Sequence, residues 1–140
     1  MKKLDGEIIG LDLGLKRTGV ARLNTVARIA EPLKPIDMDD GLVTKLSAVV
    51  AEHETQAIVA GMPRGLNGQE TEQTAWAQKI VEELRAAFEI PVFTIDEAAT
   101  TKFAEERAFK DQSIDSVAAT IIVEDFVNEV LKGNIENVSL

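Results

Sequence analysis

Four acidic residues stand where a carboxylate could take part in chemistry. Asp12 lies inside an apolar, glycine-punctuated stretch, where an isolated carboxylate is costly to bury unless it is paired or bound to a cation. Asp96 and Glu97 follow another apolar run, and Asp115 opens a segment with helical spacing of its apolar residues. Each acid alone has a structural explanation, because acids also organise turns, face water after strands and cap helices.

Taken together, acids from three separate elements indicate a metal site. Three carboxylates converge only around a counter-ion, and oxygen ligands without histidine suit Mg²⁺ or Mn²⁺. Two such ions can activate water and stabilise the leaving oxygen in phosphodiester hydrolysis. Because neighbours on a strand point to opposite faces, only one of Asp96 and Glu97 is expected to share the side of Asp12, and alternation alone leaves the choice open.

Basic residues follow the same predicted strands. Lys16 and Arg17 follow the first strand, Arg64 the fourth and Lys102 the fifth. If these loops are neighbours, they form a basic rim around an acidic, metal-neutralised centre. Such a rim would hold a nucleic-acid backbone without reading its sequence.

The composition limits the classes of function. The net charge of −9, from 15 basic and 24 acidic residues, argues against general polyanion binding, so the local field at the rim has to attract a nucleic acid. The chain has no cysteine and a single histidine, His53, which excludes thiol chemistry and argues against a multi-histidine zinc site. No apolar run is long enough for a membrane span, and we expect a cytoplasmic protein.

The predicted elements form one α/β domain. Alternation predicts strands at 6–14, 19–23 and, more weakly, 27–30, which make an antiparallel meander. Apolar runs at 57–60 and 92–95 predict two buried strands. Helices are predicted from Asp39 or Asp40 to about 54, from 70 to about 90, and from Ser113 or Asp115 to Gly133. Residues 1–133 are expected to form the domain and 134–140 a frayed tail.

The glycines around Asp12 allow a competing interpretation. Gly10, Gly14 and Gly19 frame Asp12 in a pattern that resembles the phosphate-binding hairpin of actin-like ATPases. Those proteins clamp a nucleotide between two lobes, and 140 residues supply only one. The Rossmann and P-loop motifs are absent from the sequence.

Four motifs, in order along the chain, give a family resemblance. They are LDLGLKRTGVA at 11–21, IVAGMP at 58–63 with NGQE at 67–70, DE at 96–97 with TT at 100–101, and IDSVAA at 114–119. With these motifs the chain resembles the YqgF (RuvX) family, described as Holliday-junction resolvases and as nucleases that trim the 5′ end of pre-16S ribosomal RNA. The resemblance implies an RNase H-like fold with a five-stranded mixed sheet, three strands antiparallel and two parallel, and helices on both faces.

The resemblance also implies roles for particular residues. Asp12, Glu97 and Asp115 correspond to the family's metal-binding acids, so it favours Glu97 over Asp96, with Mg²⁺ or Mn²⁺ as cofactor. Precursor rRNA or branched DNA is the implied substrate. The oligomeric state stays open between a monomer and a homodimer, and symmetric resolution of a four-way junction would favour a dimer. The residues assigned to substrate binding are Lys16, Arg17, Arg64, Asn67 and Lys102.

The sequence departs from the family at three places. Ala98 and Ala99 stand where Arg-Leu is usual, Asn67 stands where Asp is usual, and the segment between Ala108 and Ile114 is short. The missing Arg removes a positive group that could contact phosphate or orient Glu97. A second hypothesis is therefore a nucleic-acid or ribosome-associated binding module that has lost catalysis.

Overall fold

The protein is a five-stranded mixed sheet with helices on both faces. In this computed structural model, residues 5–63, 69–96 and 114–131 are described. The strands are β1 (Glu7–Asp12), β2 (Arg17–Asn24), β3 (Ile29–Asp37), β4 (Ala57–Met62) and β5 (Val92–Asp96). The helices are α1 (Leu42–Glu52), α2 (Glu72–Ala87) and α3 (Ile114–Leu131), and a 3-10 turn covers Met38–Asp40. The predicted order of strands and helices is confirmed.

β1 is the centre of the sheet, whose strand order is β3-β2-β1-β4-β5. β1 pairs antiparallel with β2, and β2 with β3, whereas β1, β4 and β5 run parallel. The predicted mixture of three antiparallel and two parallel strands is therefore confirmed. The carboxyl ends of the three parallel strands meet at one edge, and in open α/β sheets ligands bind beyond this edge.

Each face of the sheet buries its own apolar core. The face covered by α1 and α2 contains, among others, Ile9, Leu11, Ile58, Met62, Leu46, Val81 and Leu84. The face covered by α3 contains Ile8, Ala21, Leu23, Val59, Ala119, Ile122, Val123, Phe126 and Val127. None of the helices in the described part of the chain is long and apolar enough to span a membrane.

Two element boundaries differ from those predicted. β3 runs through Pro32 and Pro35 to Asp37 instead of ending near residue 30. It is an edge strand, so a residue without an amide hydrogen need not break the ladder. α1 begins at Leu42 after Gly41 and has no side-chain cap, so the predicted capping by Asp39 or Asp40 is wrong. The 3-10 turn contains both acids.

Candidate metal-dependent nuclease site

Asp12 is the last residue of β1, at the edge where the parallel strands end. It is half-buried, and it lies level with Gly19 of β2 and Gly61 of β4. Residues paired across a sheet share a face, so both neighbours of Asp12 on its own face lack a side chain. The two glycines leave space beside the carboxylate. A metal ion that binds several oxygen ligands would need such space.

The strand register separates Asp96 from Asp12. Gly61, which pairs with Asp12, also pairs with Ile95 of β5, while Asp96 pairs with Met62. Ile95 therefore shares the face of Asp12, and Asp96 lies on the opposite face. This agrees with the prediction that only one of the two adjacent acids shares the side of Asp12. It excludes Asp96 as the acid on that side. Glu97 lies outside the described residues.

The first turn of α3 reaches the same edge. The Val20 amide donates a hydrogen bond to Ser116 Oγ over 3.3 Å, and Val20 is paired with Leu11, the residue before Asp12. Asp115, which precedes Ser116, lies in the first turn of the helix, and its side chain is outside the described part of the structure. The carboxyl ends of β1 and β5 and the first turn of α3 therefore lie at the same end of the sheet.

A tight hairpin presents the basic residues that follow β1. A Cβ on Gly14 would lie 2.3 Å from the Arg17 carbonyl oxygen, so only glycine fits this turn. The Met38 amide donates to the Lys16 carbonyl oxygen over 2.8 Å, which ties the hairpin to the 3-10 turn. Lys16 and Arg17 are both exposed, as a phosphate contact requires.

The end of β4 is held by the start of α2. Thr74 is buried, and its hydroxyl donates to the Pro63 carbonyl oxygen over 2.6 Å. Thr71 caps the helix by accepting from the Thr74 amide, a role that the sequence interpretation did not assign. Three residues predicted to bind substrate, Arg64, Asn67 and Lys102, lie outside the described residues.

Among the residues that the structure describes, no group of three or more acids or histidines is arranged to hold a metal ion. Of the three predicted ligands, only Asp12 has its side chain in the described part of the structure. Glu97 and the side chain of Asp115 lie outside it.

The glycines around Asp12 have structural roles in the described fold. A Cβ on Gly10 would lie 2.7 Å from the Ala119 carbonyl oxygen and 2.8 Å from Val123 Cβ, so the residue allows α3 to pack directly on β1. Gly14 closes the hairpin, and Gly19 flanks Asp12. The pattern that resembles an ATPase hairpin is thus explained by packing and turn geometry.

Comparison with known proteins gives a family and named relatives. The model of the RuvX family, described as a Holliday junction resolvase, matches residues 6–129. A protein of Hydrogenovibrio crunogenus named "Putative pre-16S rRNA nuclease" is 38% identical over 130 residues, which cover 91% of this chain and 97% of the relative. A protein of the same name from a Roseiflexus species is 31% identical over 138 residues, which cover 91% and 98%.

Solved structures confirm the RNase H-like fold. Thermus thermophilus RuvC in complex with a Holliday junction substrate superposes with a TM-score of 0.63 at 12% identity, covering 91% of this chain and 96% of RuvC. The fowlpox virus Holliday junction resolvase superposes with a TM-score of 0.59 at 11% identity, covering 88% and 99%. At these identities the likeness establishes the fold only.

Proposed function

Since the chain belongs to the RuvX family of Holliday junction resolvases, a family of nucleases, we propose that Asp12, Glu97 and Asp115 are its catalytic, metal-binding residues. The observation that carries this proposal is the setting of Asp12. It is a carboxylate between two glycines, at the edge where three parallel strands end.

The positions of the other two acids in the chain support the same centre. Ile95 shares the face of Asp12, and alternation by two along a strand favours Glu97 rather than Asp96 as the second ligand. Asp115 precedes Ser116, whose hydroxyl contacts β2 beside Asp12. The set contains only carboxylate oxygens, which fits Mg²⁺ or Mn²⁺.

In the proposed cleavage reaction, the acidic residues would bind the metal ions and the basic residues would bind the substrate. When bound, Mg²⁺ or Mn²⁺ would supply an activated water and offset negative charge at the scissile phosphate. Lys16 and Arg17, exposed on the adjoining hairpin, would hold the phosphate backbone through charge and hydrogen bonds. Arg64, Asn67 and Lys102 remain predicted contacts to the same substrate, from loops that the sequence places after β4 and β5.

We propose the 5′ end of pre-16S rRNA as the preferred substrate, with branched DNA as the alternative. The curated relatives at 31–38% identity over most of both chains are named for pre-16S rRNA. The proteins named or crystallised with Holliday junctions resemble this chain in fold, at 11–12% identity. Resolution of a symmetric junction would require a dimer, whereas trimming one RNA strand would not.

The test is a cleavage assay with Mn²⁺ or Mg²⁺ on an RNA carrying a pre-16S 5′ leader and on a four-way DNA junction. Wild-type protein should cut in the presence of metal and not in EDTA. Asp12→Asn should lose cutting by at least about a hundredfold, because it weakens the metal site, while its melting temperature shows that it is folded. Asp96→Asn is the matched control and should cut normally.

Full activity of folded Asp12→Asn would refute the assignment. If wild-type protein binds either nucleic acid but cuts neither, the chain is a binding module, as the alanines at 98 and 99 suggested from the sequence.

A further inference from the structure

Ser116 links α3, which carries Asp115, to β2, the strand that pairs with the Asp12 end of β1. Its hydroxyl oxygen accepts a hydrogen bond from the Val20 amide over 3.3 Å, and the residue is 1% exposed. Val20 is directly opposite Leu11 in the β1–β2 ladder. Asp115 precedes Ser116 in the chain, and Asp12 follows Leu11, the residue paired with Val20, so both acids lie beside residues that flank this hydrogen bond.

The Val20 amide lies beside an irregularity in the sheet. Thr18 pairs with Ile36 and Val20 pairs with Leu33, so the β2–β3 register shifts between them. A bulge of this kind interrupts the regular ladder and often lies next to an active site. Here the amide beside the bulge meets a side chain from α3, which fixes the height of the helix relative to β2.

Other contacts hold the same helix but act further along it. Thr120, one turn after Ser116, donates its hydroxyl to the Ser116 carbonyl oxygen over 3.0 Å, a bond within the helix. Gly10 admits Ala119 and Val123 against β1. The Gly10 contact sets the distance between helix and sheet, whereas the Ser116 bond fixes the first turn, where Asp115 lies.

We propose that Ser116 is a positioning residue, which holds the first turn of α3 against β2 so that Asp115 and Asp12 bind the same metal ions. The inference rests on the proposed function. Groups that orient metal ligands contribute about 10- to 100-fold to metal affinity, so loss of the hydroxyl should be measurable as weaker metal binding. In this role Ser116 acts through the position of Asp115 and is neither a metal ligand nor a substrate contact.

The test compares Ser116→Ala with Thr120→Ala in the full-length protein. Both variants remove a buried hydroxyl from the same helix, but only the first removes a bond to the sheet. Mn²⁺ binding is measured by electron paramagnetic resonance of the free ion, and stability by thermal melting. Ser116→Ala should raise the Mn²⁺ dissociation constant about tenfold or more, and its cleavage should recover in excess Mn²⁺. Thr120→Ala should bind Mn²⁺ within about twofold of wild type.

Ser116→Cys and amide hydrogen exchange give two further readouts of the Ser116 hydrogen bond. Ser116→Cys has nearly the same size but a weak acceptor, and it should weaken Mn²⁺ binding in the same direction if Ser116→Ala does not fold. Hydrogen exchange of the Val20 amide should quicken in both Ser116 variants. A folded Ser116 variant with wild-type Mn²⁺ affinity would overturn the positioning role.

The failure of this inference can be told apart from failure of the proposed function. If wild-type protein binds Mn²⁺ through Asp12 and the Ser116 variants bind it equally well, only the positioning role is wrong. If wild-type binding is absent or unchanged in Asp12→Asn, the metal centre itself is wrong, and the inference falls with it.

Discussion

At the scale of single residues, the proposed centre depends on a hydrogen bond between parts of the chain that are distant in sequence. Asp12 attracts attention in the sequence itself, because it is a carboxylate in an apolar strand. Ser116 gave no such signal, because a serine without a nearby histidine has no obvious catalytic role, and its partner Val20 lies 96 residues away. Only the fold brings a hydroxyl and an amide together over that separation.

Gly10 shows how little space separates α3 from β1. An added Cβ would lie 2.7 Å from the Ala119 carbonyl oxygen and 2.8 Å from Val123 Cβ, and neither the backbone atom nor the branched carbon can turn away. Replacing glycine by alanine usually stabilises a strand through the unfolded chain, by about 0.4–1 kcal/mol. Overpacking costs about 1–3 kcal/mol, so the clash should prevail.

Gly10→Ala is therefore expected to lower the free energy of unfolding by about 1–2 kcal/mol after this offset, measured by urea denaturation. Gly6→Ala is the control, because the atoms nearest to its added Cβ belong to the flexible Gln56 side chain, the first at 3.3 Å. Equal stability of Gly10→Ala and wild type would mean that α3 can move away from β1 without loss.

At the scale of elements, an ionic ladder crosses the antiparallel half of the sheet. Arg22 of β2 pairs with Glu31 of β3 across the register, and its guanidinium donates to Glu31 over 2.5 Å and to Glu7 of β1. Hydrogen bonds to Glu31 and then to Glu7 raise the pKa of Arg22 above its ordinary value. One cation thus connects three strands.

Arg22→Met should destabilise the sheet by about 1–3 kcal/mol, because it leaves the Glu7 carboxylate, whose side chain is 15% exposed, without its donor. Glu31→Gln should cost less than about 1 kcal/mol, because Glu31 is 48% exposed. Urea denaturation of both variants measures the two losses in the free energy of unfolding. Equal losses would contradict the conclusion that the bond between Arg22 and Glu7 is the more important one.

The raised pKa also fixes the pH behaviour of this ladder. A group whose pKa is higher in the folded state contributes stability below its ordinary pKa, and loses that contribution only as pH rises through the folded value. Arginine therefore stays charged throughout the neutral range. The difference in the free energy of unfolding between wild type and Arg22→Met should be the same at about pH 7 and pH 9. A smaller difference at the higher pH would show that the charge on Arg22 is not what stabilises the sheet.

The elements themselves were predictable where apolar periodicity was strong. β4 and β5 are short apolar runs, and both lie where the pattern placed them. β3 was underestimated because its prolines are typical of strand ends, and edge position is a property of the whole sheet. The start of α1 was misplaced because Asp39 and Asp40 are good capping residues that lie in a separate 3-10 turn.

At the scale of the whole molecule, the net charge of −9 repels the negatively charged backbone of a nucleic acid. The proposed substrate then depends on a local basic surface, and Lys16 and Arg17 form the described part of it. Each phosphate neutralised on a single strand contributes a slope of about 0.7 to the decline of log affinity with log salt.

Lys16→Gln combined with Arg17→Gln should weaken binding to single-stranded RNA and reduce that slope by about 1.4, measured by fluorescence anisotropy across a salt series. Lys45→Gln, an exposed change on α1, should leave the slope unaltered. A double variant with the wild-type slope would show that the hairpin does not contact phosphate.

The packing of α3 has a consequence for biosynthesis. α3 is the last described helix of the chain, yet it covers apolar residues of β1, β2 and β4, and chains are made from the amino terminus. A nascent polypeptide therefore carries an uncovered apolar surface, of the kind that chaperones bind, until α3 leaves the ribosome. In the proposed nuclease, that helix also supplies Asp115. The proposed metal site is therefore complete only after α3 has been synthesised.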